Sequence, residues 1–313
     1  MSKETLAILG AGLLSGLMYL SALTGLPGAV ILFNLAQLPL FLAGLGLGAT
    51  ASAFSAIAGT VAAGLIGGSL AAVIYALVNA APAVLVTRRA LLSKATADGG
   101  LEWYPPGLLV AWLTGLGAAL FAVAAILFSG AEGGLEAYVR AAVAQALEQL
   151  AIDQDPARIA AFAEAAAPYV PGVVVATWMI VVTVNGALAQ GVLARFGRAL
   201  RPSPDIAALE LPRWMTVALA VAALLAWFGD GALGFIGWNM VIILAVPFFF
   251  AGLGVVHAVV RRIKGGPMIL AMFYLFLIVF GWPVVLVAGL GLTDQWAGFR
   301  RYLRAKDSGK EDE

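Results

Sequence analysis

Apolar residues in this chain neither alternate nor fall on a single stripe. They run almost without interruption between short polar or basic connectors, in stretches near the roughly 20 residues that carry a helix across a bilayer. The stretches lie at 5–25, 28–49, 51–66, 69–87, 106–129, 171–194, 213–229, 232–258 and 267–292. Very short turns join the second to the fourth, at Pro27-Gly28, Thr50 to Ser52 and Gly67-Gly68. Gly12 and Gly16, Gly44 and Gly48, and Gly64 and Gly68 stand at the four-residue spacing that lets helix backbones approach closely. The pattern predicts an all-α fold: a polytopic transmembrane helical bundle of about 8–9 spans with a glycine-rich N-terminal half, treated as one membrane domain over 1–313. The first apolar run exceeds the 7–15 residues of a signal-peptide core and feeds straight into further spans, so it reads as a retained helix.

Charge sorts the connectors. Arg88, Arg89 and Lys94, then Arg195, Arg198, Arg201 and Arg213, then Arg261, Arg262 and Lys264 mark three cytoplasmic connectors by the positive-inside trend. The connector over 131–169 holds Glu132, Glu136, Glu148, Asp153, Asp155 and Glu164 against Arg140 and Arg158, and reads as an extracytoplasmic insert. Leu135, Val139, Val143, Leu147 and Leu150 recur there at helical spacing, and Asp155-Pro156 predicts a second helix with Asp as N-cap and Pro in its first turn. The segment 293–313 reads as a charged cytoplasmic tail. In it Asp294 is expected to cap a helix from Gln295 whose apolar face carries Trp296, Phe299 and Leu303 beside Arg300, Arg301 and Arg304. Nine crossings would put this basic tail outside. An even count of about eight, or a re-entrant segment interrupted at Gly281-Trp282-Pro283, removes the conflict.

Composition agrees: 62% of residues are hydrophobic, 11% are charged, and mean hydropathy is +0.99, so no soluble catalytic domain is accommodated. The net charge of +1 gives no reason to expect nucleic acid as a partner. With no Cys and one His, there is no thiol nucleophile and no multi-histidine metal cluster. No Asp or Glu lies inside any expected span and no Lys or Arg lies in mid-membrane, which disfavours an ion-driven carrier. The chain has no G-x-x-x-x-G-K-[ST], G-x-S-x-G or H-E-x-x-H motif. The Gly44-x-Gly46-x-x-Ala49 pattern imitates a dinucleotide fingerprint but sits in a membrane helix without the βαβ unit it requires. The expectation is therefore a non-enzyme with no catalytic, cofactor or metal site.

Candidate chemistry rests on uncharged polar residues within the spans. Asn34, Gln37, Trp178, Asn185 and Asn239 are the candidate lining of a cavity for a neutral or zwitterionic small molecule or a lipid. The competing reading is interhelical glue, worth about 0.6–2 kcal/mol per bond. Trp178 and Asn185, seven apart, share a face of one span. The bent stretch "FNLAQLPLFLAGLGLGA" is expected to kink at Pro39, with Gln37 or Asn34 satisfying the backbone opened there. His257 closes the eighth span beside Arg261 and Arg262; it suits an interfacial position or a contact with a partner. Trp296, Arg300 and Arg301 are the other candidate interface residues, facing either lipid headgroups or a membrane-protein partner.

Four stretches resemble the bacterial DUF2232 (YybS-like) family of predicted membrane proteins: "LAQLPLFLAGLGLG", "RPSPDIAALELPRW", "GLGVVHAV" and "FGWPVVLVAGLGLTDQWAGFRR". The resemblance implies a bacterial inner (cytoplasmic) membrane protein, similar in fold to the substrate-binding S components of ECF transporters, which capture small molecules for a separate ATPase. It carries over no functional residue. Roughly three additional spans and the acidic insert set this chain apart from those components. A binding or translocating role and a scaffold role in a membrane complex are both left standing.

Overall fold

The computed structural model describes residues 2–97, 99–149 and 155–303; Leu150, Asp153, Arg304 and Lys306 lie outside them. Among the described residues the helices run in the order α1 Lys3–Leu20, α2 Ala29–Asn34, α3 Leu38–Leu47, α4 Ala49–Tyr75, α5 Ala81–Ala90, α6 Pro106–Leu127, α7 Gly134–Gln149, α8 Pro156–Ala166, α9 Val170–Arg195, α10 Arg213–Phe228, α11 Ala232–Val260, α12 Gly266–Phe280 and α13 Pro283–Ala297, with 299–303 helical after them. Among the described residues six helical stretches are long and apolar enough to cross a membrane: Lys3–Thr24, Ala29–Leu47, Ala49–Ala90, Pro106–Leu127, Val170–Arg195 and Ala232–Val260. Arg213–Phe228 and Gly266–Phe280 are shorter apolar helices.

The 42-residue stretch Ala49–Ala90 is not one rod. Gly68 has φ 85° and ψ 175°, a backbone region essentially closed to residues with a Cβ. The chain turns back there, as the Gly67-Gly68 pair led us to expect. The Tyr75 hydroxyl accordingly lies against Gly59, which a straight helix would place about 24 Å away. Past Tyr75 the helix widens into a π-helical turn, Ala76–Ala80, before α5.

The chain divides into two compact units, each assembled from separated stretches. The first comprises Met1–Leu113 with Ile180–Pro204, the second Thr114–Met179 with Asp205–Glu313. Two of its three boundaries fall inside α6 and α9, where neither hydropathy nor composition marks them; the third, at Pro204-Asp205, lies in the connector between α9 and α10.

In the first unit α1 packs on α4 through the glycines picked out by their spacing. A Cβ on Gly12 would stand 2.2 Å from the Ser55 carbonyl oxygen, and one on Gly16 2.9 Å from that of Gly59. Gly48, by contrast, makes no close contact. Its φ of 109° forms the corner between α3 and α4, which brings Gly44 against Ser52. A two-stranded antiparallel hairpin of β1 Ser93–Ala95 and β2 Leu101–Trp103, held by a Lys94–Glu102 ion pair of 2.8 Å, follows α5 where the sequence showed only a basic connector. Strands of three residues are too short for an alternating pattern to register.

The second unit is organised around α11. Cβ atoms on Gly252 and Gly291 would fall 1.9 Å from the carbonyl oxygens of Val287 and Phe248, so α11 and α13 meet backbone to backbone. Gly237 sits as tightly against Ala226 of α10. α7 and α8 form the expected helical pair; the Asp155 carboxylate accepts from Ala157 N–H at 3.0 Å, and Arg140 bridges Glu136 and Glu164. The stretch expected as one interrupted span at 267–292 is two helices, α12 and α13, each 15 residues and hence about 22 Å long. α13 also runs unbroken through Asp294 to Ala297, correcting the expected helix start at Gln295. Gly298, with φ 63°, then turns the chain back on itself.

Candidate functional site

The site is built from the break in "FNLAQLPLFLAGLGLGA". That stretch is two helices, α2 and α3, separated by a three-residue turn at Leu35 to Gln37, rather than one span kinked at Pro39. Pro39 lies in the first turn of α3, where its missing N–H costs nothing. The Leu35 carbonyl accepts from Leu38 N–H at 3.0 Å, so neither Asn34 nor Gln37 is needed to satisfy it. The Ala36 carbonyl of the turn and the last carbonyl of α2 go to neighbouring segments instead. Ala36 C=O accepts from the Ser15 hydroxyl of α1, which also meets the Tyr75 hydroxyl at 2.6 Å. Asn34 C=O accepts from Asn185 Nδ2 at 2.8 Å.

Three of the five candidate cavity residues belong to this unit. Asn34 turns its own amide inward along its helix, donating to Val30 C=O at 2.7 Å. Gln37 is 2% exposed and its Nε2 donates to Val78 C=O at 2.9 Å, in the π-helical turn. Asn185 is 1% exposed, and its amide donates both to Asn34 C=O and to Val181 C=O at 2.8 Å. Gln37 and Gly44 are two turns apart on one face of α3. Gly44 in turn is flanked by Ser52 of α4 and Thr87 of α5. A seam between α3, α4 and the Ala76–Ala90 segment therefore carries polar groups at two levels about 10 Å apart.

The polar atoms of this unit are left short of partners. Setting aside Arg140 Nε, which stands 2.7 Å from the Glu164 carboxylate, the buried side-chain atoms without a hydrogen bond among the described residues are Gln37 Oε1, Ser52 Oγ, Asn79 Nδ2, Thr87 Oγ1, Asn185 Oδ1 and Gln190 Oε1. All six lie in the first unit. Ser52, Asn79, Thr87 and Gln190 were outside the five candidates; Asn79 and Gln190 are amides in apolar spans, with the same inward bias as those five, whereas nothing in the spacing of Ser52 and Thr87 distinguishes them from other small polar residues. At the end of the unit Arg201 is buried without a carboxylate partner among the described residues. Its Nη1 donates to Ala90 C=O at 2.8 Å, capping α5, and its guanidinium stands 5.7 Å over Trp103. Burial lowers its pKa from the usual guanidinium value.

Trp178 and Asn239 belong to the second unit, and Trp178 is half-buried. Asn239 is fully buried and fully engaged: Nδ2 donates to Pro168 C=O at 2.8 Å and Phe235 C=O at 2.7 Å, and Oδ1 accepts from Gly172 N–H at 2.6 Å. That N–H is one of the donors a helix leaves unsatisfied in its first turn. His257 stands 2.9 Å from Leu253 C=O through Nδ1 and 3.4 Å from the Tyr274 hydroxyl through Nε2.

The remaining candidate interface residues divide by exposure. Trp296 is 69% exposed and Arg301 is exposed, whereas Arg300 is 6% exposed and turned inward. Its Nε donates to Asp294 Oδ2 at 2.6 Å, its N–H to Asp294 Oδ1 at 3.1 Å, and its Nη1 to Leu209 C=O. The Gly298 turn produces this clamp. Among the described residues no group of three or more metal-binding side chains assembles.

A family model described as "Predicted membrane protein (DUF2232)" matches residues 12–295. No curated protein and no solved structure matches the chain.

Proposed function

Because the chain belongs to the DUF2232 family of predicted membrane proteins, we propose, from its own side chains, that it binds or translocates a neutral or zwitterionic small molecule or lipid through its first unit. The observation that carries this reading is the set of six buried, unpartnered polar atoms in that unit. An unpaired polar group in an apolar interior costs about 1–3 kcal/mol. Such groups are ordinarily satisfied by water or a ligand. Gln37 Oε1, Asn185 Oδ1 and Gln190 Oε1 are acceptors, Ser52 and Thr87 add hydroxyls, and Asn79 Nδ2 is the single amide donor of the set. These suit a ligand rich in hydrogen-bond donors and without net charge. On this reading the protein is a multi-pass component of the bacterial inner membrane, with no ATPase, cofactor or catalytic group of its own. The similarity to S components belongs to the same proposal.

The test is mass spectrometry of ligand co-purified with the protein, joined to thermal-shift screening of vitamins, nucleosides and lipids. A donor-rich compound should raise the melting temperature of the wild type, and Gln37→Leu and Asn185→Leu should abolish the rise. If no compound shifts melting and both variants melt at or above wild type, the reading is overturned.

A scaffold role in a membrane complex is favoured by a different observation: Asn239 is spent entirely on internal hydrogen bonds, while Trp296 and Phe299 are exposed at the basic tail. Crosslinking in native membranes tests it. A protein that runs alone, with no phenotype on deleting 295–313, would remove this alternative.

A further inference from the structure

The first unit also has an outward-facing feature. Where α4 and α5 run side by side after the Gly68 turn, they leave an open groove of about 380 Å³. Ala53, Ile57, Thr60 and Val61 form one wall, and Ala80 and Val84 the other. The volume falls within the roughly 300–1,000 Å³ of small-ligand sites. The groove exists because its walls are rich in alanine and because the π-helical turn Ala76–Ala80 displaces the start of α5. Its surface offers no free hydrogen-bonding group: the Thr60 hydroxyl already donates to Ala56 C=O at 2.8 Å. Only hydrocarbon matches such walls.

One end of the groove is marked by charge. Ala81, Val84 and Arg88 share a face of α5 at helical spacing, so Arg88 stands one turn, about 6 Å, beyond the groove wall. Arg88 is exposed and makes no ion pair or hydrogen bond among the described residues. Arg89 beside it is held 4.3 Å over the Trp112 ring, and Trp112 Nε1 donates to the Tyr104 hydroxyl at 3.0 Å. An apolar channel at membrane depth thus leads directly to an unneutralised guanidinium at the helix end that the basic residues assign to the cytoplasmic side. We propose that this groove holds one anionic phospholipid, an acyl chain lying between α4 and α5 and its phosphate paired with Arg88. The anionic lipids of a cytoplasmic leaflet supply that charge. The site is separate from the buried seam, and neither proposal depends on the other.

The experiment is native mass spectrometry of the full chain released from nanodiscs of dioleoylphosphatidylglycerol or dioleoylphosphatidylcholine, with melting temperature measured alongside. Wild type should retain one phosphatidylglycerol in preference to phosphatidylcholine and melt higher in the anionic lipid. Arg88→Gln should weaken phosphatidylglycerol retention about five-fold, the attraction of one basic residue, and bring it to the phosphatidylcholine level. Ala81→Trp, which fills the groove without touching the charge, should cut retention of both lipids. Arg158→Gln, on the acidic insert, should change nothing. Equal retention of phosphatidylglycerol by wild type, Arg88→Gln and Ala81→Trp would overturn the proposal. So would a melting shift reproduced by inorganic phosphate alone, because that would place an anion at Arg88 without the chain in the groove.

Discussion

Asn185 and Asn239 are a near-matched pair, one in each unit. Both are buried in membrane-depth helices. Both donate to the carbonyl one turn back, Val181 or Phe235, and to a carbonyl of another segment, Asn34 or Pro168. They differ at the other end of the amide. Asn239 Oδ1 meets Gly172 N–H, a donor supplied by the first turn of α9, whereas Asn185 Oδ1 meets nothing. The difference extends to whole units. Among the described residues, buried polar groups of the second are closed into complete sets, culminating in the Asp294–Arg300 clamp, while in the first, six atoms stand open. The same residue type is structural glue where a helix start faces it and available chemistry where none does.

Substitutions can break this contrast or sharpen it. The largest loss should follow Asp294→Ala, which strands a buried guanidinium: about 3–5 kcal/mol, read as reduced resistance to denaturant in detergent. The double variant Asp294→Leu/Arg300→Leu should recover most of it. If Asp294→Ala is mild, the second unit is not closed in the sense argued. Gly291→Leu should come next, costing about 1–3 kcal/mol or more by forcing α13 away from α11. Gly12→Leu should cost a similar amount, because both units rest on glycine seams and the contrast does not extend to them. Asn239→Ala should then cost about 1–3 kcal/mol by orphaning Gly172 N–H. Asn185→Ala frees the Asn34 carbonyl but orphans no N–H, and should cost less, about 0.6 kcal/mol in ligand-free protein. Equal losses for the two asparagines would break the comparison. The smallest loss belongs to Thr87→Val, which removes a buried, unpaired hydroxyl and is expected to run from neutral to a gain of about 1–3 kcal/mol.

How much of this was legible follows from the range of each interaction. Apolar run length, the Gly12/Gly16 spacing, the reversal at Gly67-Gly68 and the Asp155-Pro156 helix start are local signals, and each appears where its residues placed it. The inward bias of Asn and Gln was legible too, since lipid cannot satisfy them. Their partners were not. Asn239 finds Pro168 and Gly172, and Asn185 finds Asn34, across 67 to 151 residues of chain. No periodicity reports contacts at that separation. Asp294 misled for a related reason. A carboxylate before a polar stretch looks like an N-cap, but Gly298 lets the chain fold back so that the same carboxylate receives Arg300. The two-unit division was hidden because two of its three boundaries cut through helices that are uniformly apolar on both sides of them.

The Gly68 turn has a consequence for how the protein is made. From Gly48 to Thr87 the chain contains no charged residue, and the corner itself is Gly67, Gly68 and Ser69. The two arms are thus joined by a tip with almost nothing polar to drag through lipid. A newly synthesised α4–α5 pair can leave the insertion machinery sideways as one preformed hairpin. The first charge it must anchor is Arg88, at the end of the returning arm, which would set the depth at which the hairpin comes to rest.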